Sequence, residues 1–317
     1  MNPQPPQIDK PPVLVISGPT AIGKTAVSLA IAKRMPVEIL SADSRQIYRY
    51  LDIGTAKPTP EERAVAPHHF IDILDPDEDY SAGQYGLDAR KVIADIYDRG
   101  KVPLLVGGSG LYVKGVLHGF IKNDEKHPKI REELQQRLED EGAEALFLEL
   151  QRVDPESAQK SHPNNAFRTL RALEVYYASG RSISEIRKEN RDPAPFQWTN
   201  FGLFMDREML YRRTNRRVKD MLAAGLVDEV KAVLEMGYSS DLNALNSVGY
   251  KEVIAYLDGT INLDKCEELI KRNTRRYAKR QLTWLRADKS LNWVEMTPES
   301  DPDEIAENII ATWSSSS

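Results

Sequence analysis

Cysteine is almost absent: the 317 residues hold one, Cys266, which excludes an internal disulfide framework and a cysteine-rich zinc site and fits a reducing compartment. No stretch approaches the roughly 18 unbroken apolar residues of a membrane span. The opening MNPQPPQIDKPP lacks the apolar run of a signal peptide. A cytoplasmic protein without membrane contact is therefore expected. Histidine is scarce: His68, His69, His118, His127 and His162 show no ligand spacing and read as structural. There is no internal repeat, and no low-complexity block apart from residues 1–12, read as a disordered tail, and the serine tail 314–317. No heptad seam or apolar interface is visible either, so a monomer without an obligate protein partner is the default.

What is present is ordinary globular composition with an uneven charge. Lys plus Arg number 43 against 48 Asp plus Glu, a formal net charge of −5, and hydrophobic residues make up 41%. Disorder, collagen and coiled coil are excluded as global classes. Yet Lys271 to Arg286 carries seven basic residues and no acid, and Arg207 to Lys219 carries six against one. Two such clusters in one half of an acidic chain, one containing Tyr277 and Trp284, form a footprint for nucleic acid.

The chain is long enough for two units, or one core with an insertion. Apolar runs at Val13–Ser17, Val37–Leu40, Phe70–Leu74 and Val102–Val106 read as strands, with helices at Lys24–Met35 and Gly83–Asp98 between them. That alternation predicts a doubly wound parallel sheet. Residues 122–195 show no clear strand, and Phe167, Leu170, Leu173 and Tyr177 form an apolar stripe within them, so a helical insertion domain is expected there. The core would comprise 13–121 and 196–313, with strands at Phe201–Met205 and Leu291–Glu295 and helices at Glu208–Ala223, Val227–Met236, Lys251–Leu257 and Leu263–Arg286.

Parallel sheets bind ligands at the carboxyl ends of their strands. There Gly18, Pro19, Thr20, Ala21, Ile22, Gly23, Lys24 and Thr25 match G-x-x-x-x-G-K-[ST] between a strand and a helix. Loop amides would cradle a phosphate, Lys24 would add charge, and the Thr25 hydroxyl would ligate Mg²⁺. No acidic residue cleanly closes an apolar strand to support ATP hydrolysis. Asp43 instead follows the second strand and faces this loop, either as a general base or as the N-cap of a helix. Gln46 carries the donor and acceptor pair that reads an adenine edge. Ser109, in a glycine loop at a third strand end, would bind phosphate or close a turn.

Seven ordered segments together resemble the bacterial tRNA dimethylallyltransferases, also called tRNA isopentenyltransferases. They are GPTAIGKT, SADSRQIYRYLDIGTAKP, VGGSGLY, RTLRALEVY, MLAAGLVDEV, VGYKE and TRRYAKRQLTWLR. The resemblance implies a P-loop NTPase-like fold with basic C-terminal helices. It also implies transfer of a dimethylallyl group from its diphosphate to the exocyclic amine of adenine at tRNA position 37. Gly18 to Thr25 would then hold the diphosphate with Mg²⁺, Asp43 would take the amine proton, and Lys24, Ser109 and Arg131 would serve the reacting centre. The anticodon stem-loop would meet Asp43, Ser44, Arg45 and Gln46; Phe167, Arg168, Thr169, Leu170 and Arg171; Gly249, Tyr250 and Lys251; and Lys279, Arg280, Gln281, Trp284 and Arg286. Ile22 stands where the family usually has serine, Ser109 where it commonly has threonine, and Phe167 where a polar residue is common. No DDxxD pair is present, which argues against the all-helical prenyl synthases. Alternatives are an enzyme prenylating free adenine nucleotides, a P-loop nucleotide kinase or NTPase with RNA-binding helices, and a noncatalytic RNA-binding module.

Overall fold

The computed structural model describes residues 12–120, 127–189 and 193–315. The tail residues 1–11 and 316–317, and the polar start of the insertion at 122–126, lie outside them. Contacts divide the chain into two compact units, 1–117 with 194–317, and 118–193. Among the described residues, strands β1 (Val13–Ser17), β2 (Val37–Ala42), β3 (His68–His69), β4 (Val102–Gly107), β5 (Trp198–Phe204) and β6 (Asn292–Glu295) form one sheet in the order β3-β2-β4-β1-β5-β6. Every pair in it is parallel.

Helices α1 (Lys24–Ala32), α2 (Pro60–Val65), α3 (Ala82–Asp98) and α4 (Gly110–His118) connect the first strands. The second unit contains α5 (Pro128–Val153, broken at Gly142), α6 (Pro155–Gln159), α7 (Ala166–Ser179) and α8 (Ile183–Glu189). The chain then returns through α9 (Arg207–Ala223), α10 (Leu226–Glu235), α11 (Tyr250–Leu257), α12 (Leu263–Leu285) and α13 (Pro302–Ser314). No described helix is long and apolar enough to cross a membrane.

The period-2 geometry of β1 explains its unbroken apolar run. Val13 and Val15 join a core with Tyr85 and Ile93 of α3. Leu14 and Ile16 join the opposite core with Val27 and Ile31 of α1 and Trp313 of α13. Helices thus cover both faces, which is what permits a fully parallel sheet. The register pairs Gly107 with both Ser17 and Ala42, so the loops leaving β1, β2 and β4 emerge side by side.

Several elements differ from the sequence reading. The strand expected at Phe70–Leu74 is the short β3 just before it, because Phe70 and Asp72 adopt left-handed backbone, with φ of 64° and 57°. Asp72 pairs with Lys57 and Arg63 instead. β5 begins three residues earlier than expected, at Trp198. Helix α13 was not anticipated, although Asp301 caps it, Pro302 opens it and Asp303 and Glu304 occupy its first turn. It reaches Ser314, which the sequence reading assigned to a tail, and Trp313 Nε1 donates to the Pro12 carbonyl at 3.0 Å. On α7 the inward face is Thr169, Ala172, Leu173 and Glu174, whereas Phe167 and Tyr177 at the ends of the expected stripe are exposed.

One carboxylate organises the segment after β2. Glu229 of α10 accepts from the backbone N–H groups of Asp52, Ile53 and Gly54, at 3.0, 2.6 and 3.1 Å, and from the buried Tyr250 hydroxyl at 2.6 Å. Glu229→Ala leaves these donors unpaired and is expected to destabilise the fold by about 2–4 kcal/mol, against about 1.5 kcal/mol for Tyr250→Phe. Urea unfolding of both variants checks the order, and equal losses would contradict it.

Candidate active site

The loop from β1 to α1 has Gly23 at its N-cap in left-handed conformation, φ 112°, and Ala21 at φ 65°. Its amides surround the first turn of a helix, where unpaired N–H groups and the helix dipole favour an anion. Ile22 turns the other way and is fully buried in the core beneath. Lys24 is half-buried, with its ammonium end enclosed: Nζ donates to the Gly18 and Pro19 carbonyls at 3.0 and 2.9 Å. Desolvation lowers its pKa to about 8, opposed by the nearby Asp43 charge and assisted by Arg217.

Asp43 begins no helix. Its Oδ1 accepts from the Arg45 N–H at 2.9 Å, closing a two-residue turn within the turns that follow β2, so the N-cap reading is replaced by an Asx turn. Ser109 ties this segment to the β4 loop, its N–H donating to Ala42 O at 3.1 Å and its Oγ accepting from Ser44 N–H at 3.0 Å. Gln46 is engaged internally: Oε1 accepts from Ser41 Oγ at 2.9 Å and Nε2 donates to the Thr55 and Ala56 carbonyls.

Two cavities meet at Asp43. One, of about 490 Å³, is lined by the P-loop, Lys24, Thr25, Gln46, Arg213, Arg216 and Arg217. The other, of about 280 Å³, is lined by Ser44, Arg45, Gly249, Lys251 and Arg280. Thr20, Asp43, Thr55, Arg217 and Tyr277 belong to both. The first holds Lys24 and three arginines with three carboxylates, Asp43, Glu62 and Asp220; Asp220 pairs with Arg216 at 2.9 Å, which leaves Lys24, Arg213 and Arg217 as the cations for an anion. The sequence reading assigned no individual role to Arg213, Arg217 or Tyr277. The signal was spacing: Arg213 and Arg217 lie four apart on α9, as do Tyr277 and Gln281 on α12, so each pair shares a helix face. Burial lowers the Arg217 pKa while the Asp43 charge raises it. Burial raises that of Tyr277 to about 12, with Asp43 adding to the rise and a hydrogen bond from Ser109 opposing it.

The remaining expected residues divide by environment. Lys279 and Arg280 on α12, and Arg286 at its C-cap, are exposed, and Trp284 packs its ring against Gly110. Arg45 donates to Asn243 O at 2.6 Å. Tyr250 is fully buried and bonded to Glu229, and Gly249 N–H donates to Glu252 at 2.7 Å, so of the segment 249–251 only Gly249 and Lys251 line the cavity. In the helical unit Thr169 is fully buried, Leu170 is partly buried, and Arg171 pairs with Glu174 at 2.9 Å. Arg168 is exposed, while Arg131 holds its guanidinium 5.8 Å from the ring centre of the exposed Phe167. Of the histidines, His69 bonds Glu38 at 2.8 Å and His68 bonds the Ala66 carbonyl.

Residues 46–288 match the IPP transferase family and residues 11–72 the isopentenyl transferase family. The chain is 48% identical to the tRNA dimethylallyltransferase of Thermotoga neapolitana, across 89% of this chain and 92% of that one. It is 45% identical to the tRNA dimethylallyltransferase of Natranaerobius thermophilus, across 94% and 90%. The solved tRNA isopentenylpyrophosphate transferase of Bacillus halodurans superposes with a TM-score of 0.72 at 41% identity, covering 97% of this chain and 98% of that one. A eukaryotic dimethylallyltransferase acting on tRNA superposes at 0.79 and 30% identity, over 94% and 77%. A P-loop beneath an arginine-lined cavity, on a parallel sheet shared with these enzymes over nearly its whole length, has one consistent meaning: the chain belongs to the IPP transferase family and is a transferase enzyme.

Proposed function

We propose that the chain transfers a dimethylallyl group from dimethylallyl diphosphate to N6 of the adenine at tRNA position 37. The observation that carries this reading is Asp43 in the wall common to two cavities, one lined by the P-loop and arginines, the other opening beside the basic helix α12. The diphosphate occupies the first against Gly18 to Thr25, Lys24, Arg213 and Arg217. The target adenine, unstacked from the anticodon loop, enters the second. N6 attacks the allylic C1, the C1–O bond breaks, Asp43 takes the amine proton, and diphosphate leaves with the bond's electron pair.

An aromatic amine is a weak nucleophile, so removal of its proton as the bond forms contributes about 10²- to 10⁴-fold. The charge growing on diphosphate is met by fixed cations and loop amides. Mg²⁺ fits the donor set in one manner. Among the described residues no cluster of three or more His, Cys, Asp or Glu could hold a metal by itself; the Thr25 hydroxyl on the cavity wall would hold the ion together with the diphosphate. When bound, the ion neutralises negative charge on the diphosphate. The exposed basic face of α12, and Phe167 and Arg168 of the helical unit, suit the anticodon stem-loop. Arg131 is carried over from the family resemblance as a further guanidinium for the diphosphate.

Mass spectrometry of digested tRNA, after incubation with Mg²⁺ and dimethylallyl diphosphate, is expected to show one added dimethylallyl group on an anticodon-loop adenosine. Prenylated free AMP with untouched tRNA would move the assignment to a nucleotide-modifying enzyme. Asp43→Asn should cut turnover about 10²- to 10⁴-fold while inorganic diphosphate still binds; undiminished turnover would remove Asp43 as the base. Arg131→Ala should raise KM for the diphosphate substrate about tenfold, and an unchanged KM would withdraw Arg131 from the site.

Lys24 also predicts a pH dependence. It is charged below about 8 and loses its proton as pH rises through that value, so diphosphate affinity should fall as pH rises from 7 to 9.5. Lys24→Arg, which stays charged, should flatten the decline. Titration calorimetry across that range checks both, and an affinity that climbs with pH would contradict the assignment.

A further inference from the structure

Gln281 lies within the basic stretch of α12, yet it does not share the environment of its neighbours. Lys279 and Arg280 are exposed, whereas Gln281 is buried at 7% exposure. Both ends of its amide are spent on backbone of the diphosphate site. Oε1 accepts from the Thr20 N–H at 2.8 Å, and Nε2 donates to the Gly108 carbonyl at 2.9 Å. One side chain therefore joins the P-loop after β1 to the glycine loop after β4.

The fit leaves no slack. A Cβ on Gly108 would come within 2.3 Å of Gln281 Nε2, and one on Gly110 within 2.3 Å of the Trp284 ring. Gln281 and Trp284 are three residues apart on α12, so the helix is keyed into the β4 loop at two points on one face. Tyr277, four residues before Gln281 on that face, reaches both cavities.

We infer that Gln281 is a positioning residue for diphosphate: it fixes the Thr20 end of the P-loop against the β4 glycine loop, and makes no contact with RNA. A loop that binds an anion through backbone N–H groups works only when those groups are already aimed, since ordering them on binding would subtract from affinity. Gln281 supplies that order from outside the loop, by a neutral amide whose two functions match one N–H and one carbonyl. An amide also leaves unchanged the charge of a pocket in which Lys24 and three arginines stand with Asp43, Glu62 and Asp220. The inference rests on the reading of Gly18 to Thr25 as a diphosphate loop.

The test compares Gln281→Met, which keeps length and volume but loses both hydrogen bonds, with Lys279→Ala on the exposed face of the same helix. Binding is measured on the full chain with two probes, inorganic diphosphate by calorimetry and an anticodon stem-loop RNA by fluorescence anisotropy, and thermal unfolding reports the fold. Gln281→Met is expected to weaken diphosphate about tenfold and leave RNA affinity within about twofold. Lys279→Ala is expected to do the reverse. Should Gln281→Met not fold, Gln281→Glu replaces it; it retains an acceptor for Thr20 N–H but sets a carboxylate against the Gly108 carbonyl, and the same loss of diphosphate affinity is expected. Loss of RNA affinity with diphosphate binding intact would overturn the inference and leave the diphosphate reading standing. Failure of the unsubstituted chain to bind diphosphate would overturn both.

Discussion

The constraint on which the site depends is the desolvation of one ammonium group. Lys24 is held against the carbonyls of its own loop, where loss of water lowers its pKa to about 8 and the Asp43 carboxylate opposes the fall. A parallel sheet makes this unavoidable. Its strand ends bring three loops to one edge, and side chains that converge there are crowded out of water by the neighbouring loops. Charge placed in such a position must be matched. Asp43 faces Lys24 and Arg217, and each of these cations registers its field.

That balance serves transfer chemistry better than hydrolysis. On the proposed reading Asp43, the carboxylate common to the two cavities, would receive a proton from an acceptor in the second, while Lys24, Arg213 and Arg217 would meet the leaving diphosphate in the first. The same arrangement explains why so many supporting contacts are internal ties. Ser109, Gln46, Gln281 and Glu229 each bond backbone or side chains of the loops around Asp43. They hold the 43–58 segment, the P-loop and the β4 loop in register without adding a charge to the pocket; Glu229, the charged one among them, lines neither cavity and bonds residues 52–54.

Much of this was legible in the sequence because local pattern and global fold agree there. Val13–Ser17 reads as a strand buried on both faces, and the glycine and lysine spacing that follows admits few other meanings. Asp43 was identifiable by position but not by role, since an acid after a strand serves equally as a cap; the Arg45 N–H bond and the lack of a helix starting there remove the cap reading. Arg213, Arg217 and Tyr277 were hidden inside basic stretches, where charge density announces a polyanion but not which residues face inward. Gln281 and Tyr250 were grouped with RNA contacts because they sit in segments that resemble such contacts, and burial separates them from their neighbours. The Phe70–Leu74 strand failed on backbone geometry that composition does not reveal.

The central claim is that diphosphate and adenine lie on opposite sides of Asp43. A crystal structure of the chain with inorganic diphosphate and an anticodon stem-loop RNA would test it most directly. The account predicts diphosphate against the amides of Gly18 to Thr25 and Lys24, and an everted adenine with N6 in hydrogen-bonding distance of the Asp43 carboxylate. Adenine stacked within its loop and remote from Asp43, or diphosphate bound away from the P-loop, would contradict it.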